Sequence, residues 1–181
     1  LPLYEPQHRA LADALWSWAQ ALPPVDHDDT DHACRQLVRQ LGEAGFLRYG
    51  VPAAYGGALP ELDSRALCLI REILAWHDGL ADFAFAMQGL GTGAISLFGT
   101  PEQKQRYLRP LFTGEEVWCQ LFSEPGAGSD VATLASRAVK DGDEWILNGQ
   151  KVWTTLAHNA HYGLIIARHD PNTAKHLGIT A

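Results

Sequence analysis

Thr100-Pro101-Glu102-Gln103-Lys104-Gln105-Arg106-Tyr107-Leu108-Arg109-Pro110-Leu111-Phe112-Thr113-Gly114-Glu115-Glu116-Val117-Trp118-Cys119-Gln120-Leu121-Phe122 is the stretch in which the chain changes character. It opens with an N-cap hydroxyl, Pro at N1 and Gln at N3, the reciprocal pattern that starts a helix, and Arg109-Pro110 marks the expected end. Beyond Gly114 the period becomes two, and Val117 to Phe122 reads as a strand. Working back from this switch, the periodicity is helical. Leu11, Ala14, Leu15, Trp18 and Leu22 share one face, which Pro23-Pro24 closes off. The polar link from Asp26 to His32 can cap a second helix, Cys34 to Ala44, before Pro52 and Gly56-Gly57 mark an irregular connection. A third helix is predicted from near Asp63-Ser64 to His77, with Leu67, Ile70 and Leu74 on one face, and a fourth from Ala81 to Phe98. Working forward, strand-like runs cover Ala135 to Lys140, Glu144 to Leu147, Lys151 to Thr155 and Tyr162 to Arg168, with hairpin signals at Asp141-Gly142 and Asn148-Gly149. Helices followed by strands without alternation predict an α+β fold: an α-helical domain over residues 1–113 and an antiparallel β domain over 114–181.

The 181 residues carry 21 acidic and 14 basic side chains, a net charge of −7. Scattered Lys and Arg on an acidic chain argue against nucleic acid, whose phosphates need clustered cations. Hydrophobic content of 46% with 19% charged residues fits a globular chain that buries a core. The longest charge-free stretch, Phe83 to Thr100, is diluted by Gln88, Gly89, Gly91, Thr92, Gly93 and Ser96, so it predicts a buried helix rather than a membrane span of about 20 apolar residues. No basic segment followed by an apolar one opens the chain, and Cys34, Cys68 and Cys119 are odd in number and lack metal-like spacing. A reducing compartment, the cytoplasm, is expected. The chain starts at Leu1 rather than Met and stops at Ala181 on what reads as the entry to another strand, so it is expected to be a piece of something longer.

Two patterns imitate functional motifs. Gly89-Leu90-Gly91-Thr92-Gly93-Ala94 satisfies the dinucleotide fingerprint G-x-G-x-x-[GA], but that motif needs a strand before it, and the flanks here read as helix. Close packing of a buried helix is the reading preferred. His158, His161 and His169, and the Asp26 to His32 cluster, lack a helical H-E-x-x-H or a Cys partner, so no metal is expected. Neither a P-loop nor a G-x-S-x-G elbow is present.

The chemistry sits in Gln120-Leu121-Phe122-Ser123-Glu124-Pro125-Gly126-Ala127-Gly128-Ser129-Asp130. A strand runs into a loop whose glycines expose backbone N–H groups and let a large ligand approach, with Ser123 and Ser129 adding hydroxyls. Such a loop suits a flat, phosphorylated ligand. Ser123 to Asp130 resembles the signature loop of the acyl-CoA dehydrogenase family. Leu147-Asn148-Gly149-Gln150-Lys151-Val152-Trp153-Thr154-Thr155 resembles a second family segment, and Phe98 to Lys104 through Gly114-Glu115 the junction between its helical and β domains. The likeness covers essentially the whole chain and is weakest before about residue 45. It implies an amino-terminal helical bundle followed by a middle β-barrel-like domain that is incomplete at its carboxy-terminal end.

By the same resemblance the chain binds FAD. Gln120, Phe122 and Ser123 are expected along the isoalloxazine edge, Gly128 and Ser129 by the pyrophosphate and the CoA arm of the substrate, Trp153 over the flavin and Thr155 near N5, with Thr154 also among the FAD-binding residues. Gln120 departs from the aromatic residue of many members, and Thr154 from an aliphatic one. The family abstracts the α proton of an acyl-CoA thioester with a carboxylate while a β hydride passes to the flavin, giving a trans-2-enoyl-CoA; electrons leave through an electron-transfer flavoprotein. Its base is a glutamate of a carboxy-terminal helical domain that these residues do not include. Glu124, followed by Pro125 in a loop, is expected to accept backbone N–H groups rather than serve as the base. A homodimer or homotetramer is implied. Other readings are a flavin oxidase or monooxygenase on the same scaffold, or a non-catalytic binding module if the chain naturally ends at Ala181.

Overall fold

The computed structural model describes residues 3–181, with the side chains of residues 90–92 excepted. Two compact units divide between Val117 and Trp118.

The first unit is helical: α1 (Pro6–Gln20), α2 (Thr30–Glu43), α3 (Ser64–His77), α4 (Gly79–Phe98) and α5 (Pro101–Phe112). Each begins where a side chain or proline answers the unpaired amides of a first turn. Asp29 accepts from the His32 amide at 3.0 Å and starts α2 earlier than apolar spacing suggests. Asp63 and Asp78 do the same for α3 and α4. At α5 the reciprocal cap forms, with the Thr100 amide donating to Gln103 Oε1 (2.8 Å) and the Gln103 amide to Thr100 Oγ1 (3.3 Å). This helix does not stop at Arg109-Pro110 but continues to Phe112. A proline in the last turn forfeits one hydrogen bond while its fixed φ remains helical, so it is tolerated there.

The buried stripes pack around Leu15, Leu41, Ile70 and Leu74, joined by Leu37, Phe46, Ala81 and Phe85. On α1 the inward face runs through His8, Leu11, Leu15 and Ala19 rather than Ala14, which is exposed. His8 belongs inside because both ring nitrogens are used: Nδ1 accepts the Glu5 amide at 3.1 Å, and Nε2 lies 2.9 Å from Asp63. Arg65 grips the same carboxylate, and its hydrogen bonds hold the Asp63 carboxyl well below the usual range. The fingerprint-like Gly89–Ala94 run lies inside α4, with no strand before it. A methyl added at Gly89 or Gly93 would meet nothing within 4 Å, so close packing inside this chain is not what calls for glycine there. No helix of the described residues is long and apolar enough to cross a membrane.

The second unit has β1 (Trp118–Leu121), β2 (Arg137–Asp141), β3 (Glu144–Asn148), β4 (Tyr162–Ile165), β5 (Ala167–Arg168) and β6 (Ile179–Thr180). They form a pair, β1-β4, and a sheet in the order β3-β2-β5-β6, so the α+β class stands while the strands close no barrel among the described residues. The Asp141-Gly142 hairpin forms, Gly142 supplying φ +60° between β2 and β3. Three expectations fail. The sheet is not wholly antiparallel: β1 runs parallel to β4 from Trp118↔Tyr162 to Leu121↔Ile165, and β2 meets β5 in parallel. The long connection from Leu121 to Tyr162 leaves room for the chain to return in the same direction. Asn148-Gly149 joins no strand pair, because Gly149 is pressed against Ser136, where a β-carbon would lie 2.1 Å from Oγ. Lys151 to Thr155 is not a strand, because Trp153 takes φ +57° and breaks the extended run.

Ile70 is fully enclosed, so Ile70→Ala should cost about 2–5 kcal/mol of unfolding free energy, with Leu67→Ala on the half-buried flank costing visibly less. Urea titration of both variants checks the ranking, and equal losses would contradict this core.

Candidate functional site

β1 ends at Leu121 and the chain turns at once. The Glu124 amide donates to Ala127 O at 2.9 Å and the Ala127 amide returns to Glu124 O at 3.1 Å, closing a tight loop around Pro125-Gly126. This buries the Glu124 side chain while Gly126, Gly128 and Ser129 stay exposed. The amides of those three donate to no backbone group among the described residues. Neither Gly126 nor Gly128 has a positive φ, and a methyl on either would meet nothing within 4 Å. The chain's own packing therefore gives no reason for glycine here, whereas a ligand brought against the main chain would.

The Glu124 carboxylate is a hub. Oε2 accepts the Ala135 amide at 2.6 Å, and Oε1 accepts the Ser136 amide at 3.0 Å and Lys151 Nζ at 2.8 Å. Lys151 Nζ also donates to Phe122 O at 3.0 Å, and the Val152 amide to Ser123 O at 2.9 Å. Both side chains of the ion pair are nearly excluded from solvent, Lys151 at 7% and Glu124 at 6% exposure. Burial pushes the Glu124 carboxyl upward, but Lys151, Ser136 and the two amides outweigh it and hold it at about 2. With both oxygens occupied and its basicity depressed, Glu124 is poorly equipped as a proton acceptor.

Directly after this anchor comes Trp153, 89% exposed on left-handed backbone. Leu156 also has positive φ, +58°. An L-residue in this region costs of order 1–2 kcal/mol, and nothing in the indole's own packing offsets it.

The sequence-derived candidates fall into two groups. Phe122, Ser123 and the segment leading to Trp153 are brought together by the Lys151 and Val152 hydrogen bonds, with Gln120 two residues before Phe122 on β1. Gly128 and Ser129 lie exposed on the loop, and Thr154 and Thr155 follow Trp153; none of these four makes a described side-chain bond to the anchor. What sequence reasoning missed is Lys151, Ser136 and Ala135. The one hint was a lysine opening the strand-like run Lys151 to Thr155; its partner Glu124 lies 27 residues away. Among the described residues no cluster of His, Cys, Asp or Glu could hold a metal ion.

A helical unit leads into a sheet unit that carries a loop with open glycines and a solvent-facing indole on left-handed backbone. Residues 5–115 match the family described as acyl-CoA dehydrogenase, N-terminal domain, and residues 119–181 that described as acyl-CoA dehydrogenase, middle domain. The chain belongs to the acyl-CoA dehydrogenase family. It is 44% identical over 141 residues to acyl-CoA dehydrogenase FadE34 of Mycobacterium tuberculosis, covering 77% of this chain and 19% of the relative. It is 37% identical over 180 residues to acyl-CoA dehydrogenase IpdE1 of the same organism, covering 94% of this chain and 45% of the relative. A crystal structure of an acyl-CoA dehydrogenase complexed with FAD from Bacillus anthracis superposes with a TM-score of 0.80 at 29% identity, over 93% of this chain and 30% of that one. The chain thus spans less than half the length of each of these relatives.

Because an unfolded glutamate protonates near 4.5 and the folded one near 2, the stabilisation from Glu124 is complete above the higher value and drains away as pH falls toward the lower. Urea unfolding between pH 5.5 and 3 should show a steeper acid loss for the native chain than for Glu124→Gln. Parallel acid limbs would contradict the assignment.

Proposed function

We propose that this chain supplies the flavin-binding face of an FAD-dependent acyl-CoA dehydrogenase, which desaturates an acyl-CoA thioester to a trans-2-enoyl-CoA and hands electrons to an electron-transfer flavoprotein. The observation that carries this reading is the exposed Trp153 on strained backbone, anchored beside a loop with open glycines, at the positions where the family resemblance puts its flavin contacts.

The residues present suit such a group. Gln120, Phe122 and Ser123 would line the edge of the ring system, Trp153 would cover it with apolar area, Thr155 would offer a donor near N5, and Thr154 would contact the same group. The spare amides of Gly128 and Ser129 would receive the pyrophosphate, with the Ser129 hydroxyl also toward the CoA arm. FAD, when bound, supplies the acceptor for the β hydride. Lys151 and Glu124 shape the site without touching the proton that leaves, so the base comes from a carboxylate outside these residues, a helical carboxy-terminal domain in the family. A homodimer or homotetramer in the cytoplasm, with three unpaired cysteines in a reducing environment, completes the reading.

The natural gene product should purify with flavin absorbance, reduce when given an acyl-CoA and reoxidise slowly in air. Rapid reoxidation by oxygen would move it to the oxidase or monooxygenase branch of the scaffold. Ser129→Ala with Trp153→Ala should strip most of the flavin on gel filtration, and full retention would contradict the placement of these contacts.

A further inference from the structure

A bulky residue stays in the left-handed region only where its surroundings over-determine it. For Trp153 those surroundings lie on the backbone side alone, since its indole is almost wholly exposed. Upstream, three constraints converge. Gly149 is pressed against Ser136, the Val152 amide is bonded to Ser123 O, and Lys151 Nζ is bonded to Phe122 O and Glu124 Oε1. The Ser136 amide is itself held by Glu124, so two of the three constraints run through that carboxylate. Downstream, the Ala157 amide returns to Thr154 O at 3.3 Å and the Asn159 amide to Leu156 O at 2.9 Å, around Leu156, which repeats the left-handed turn.

Of these groups, Lys151 alone links the end of β1, the loop carboxylate and the segment that carries the indole. A methionine would fill the same channel along its stem but would reach neither oxygen. We propose that Lys151 is a positioning residue: its buried ammonium, fixed between Phe122 O and the Glu124 carboxylate, sets the left-handed backbone that presents Trp153 to the flavin. This rests on the reading that the indole covers FAD. Lys151 touches neither flavin nor substrate; it acts through Trp153. Loss of the ammonium frees residues 152–155 to relax toward extended backbone, which redirects the indole and moves the donors of Thr154 and Thr155 with it.

The test uses the natural gene product carrying its FAD; a native protein that purifies without flavin would overturn the functional reading before any variant is made. Lys151→Met alone strands a buried carboxylate, so Glu124→Gln with Lys151→Met, which removes both charges, is prepared beside it. The visible absorption and circular dichroism of the bound flavin report the indole and N5 environment directly. The double variant should retain flavin with altered visible bands, and kcat should fall roughly 10- to 100-fold with KM unchanged. Native flavin bands with native kcat in that variant, or a raised KM with kcat untouched, would overturn the proposal.

Discussion

The sheet unit is organised around the bond between the Glu124 carboxylate and the Lys151 ammonium, because three separated segments meet there. Removing both charges from water is costly, and attraction repays it only when the remaining hydrogen-bonding capacity is filled. Here most of it is filled: two backbone amides donate to the carboxylate, and a carbonyl shares the ammonium. A hub satisfied in this way admits one arrangement of the loop, the entry to β2 and the segment after β3. Short strands of two to five residues could not impose that register by ladder bonds alone.

The same anchor explains how a solvent-facing tryptophan is kept in an unfavourable conformation. Stability invested around Glu124 holds strain at Trp153, and the strained residue is the one aimed at solvent rather than at the core. The helical unit is built on the opposite plan. Its specificity lies in capping residues and a continuous apolar core, and the buried His8 is absorbed into a cap-like network with Asp63 and Arg65.

Local physics made much of this legible in the sequence. The capping pair Thr100 and Gln103, the Asp141-Gly142 turn and the switch of period near Gly114 depend on neighbours within a few residues, and the structure carries all three. The errors fall where distant contacts decide. Gly149 looked like a turn residue but answers the approach of Ser136; Lys151 to Thr155 has strand composition, but the hub diverts it; β1 pairs in parallel because of what intervenes before β4. Of the site, the loop that offers the open amides could be read directly, and Glu124 was legible as an acceptor. Its partner was not, since nothing in spacing ties a lysine to a glutamate 27 residues earlier.

The central claim is that Glu124 and Lys151 act as one unit, and a double-mutant cycle measures that most directly. Urea unfolding of the native protein, Glu124→Gln, Lys151→Met and the pair gives the coupling free energy between the two side chains. A coupling above about 1.5 kcal/mol is the result this account predicts, as for a buried, hydrogen-bonded pair. A coupling within about 0.5 kcal/mol of zero, the level of a surface ion pair, would contradict it.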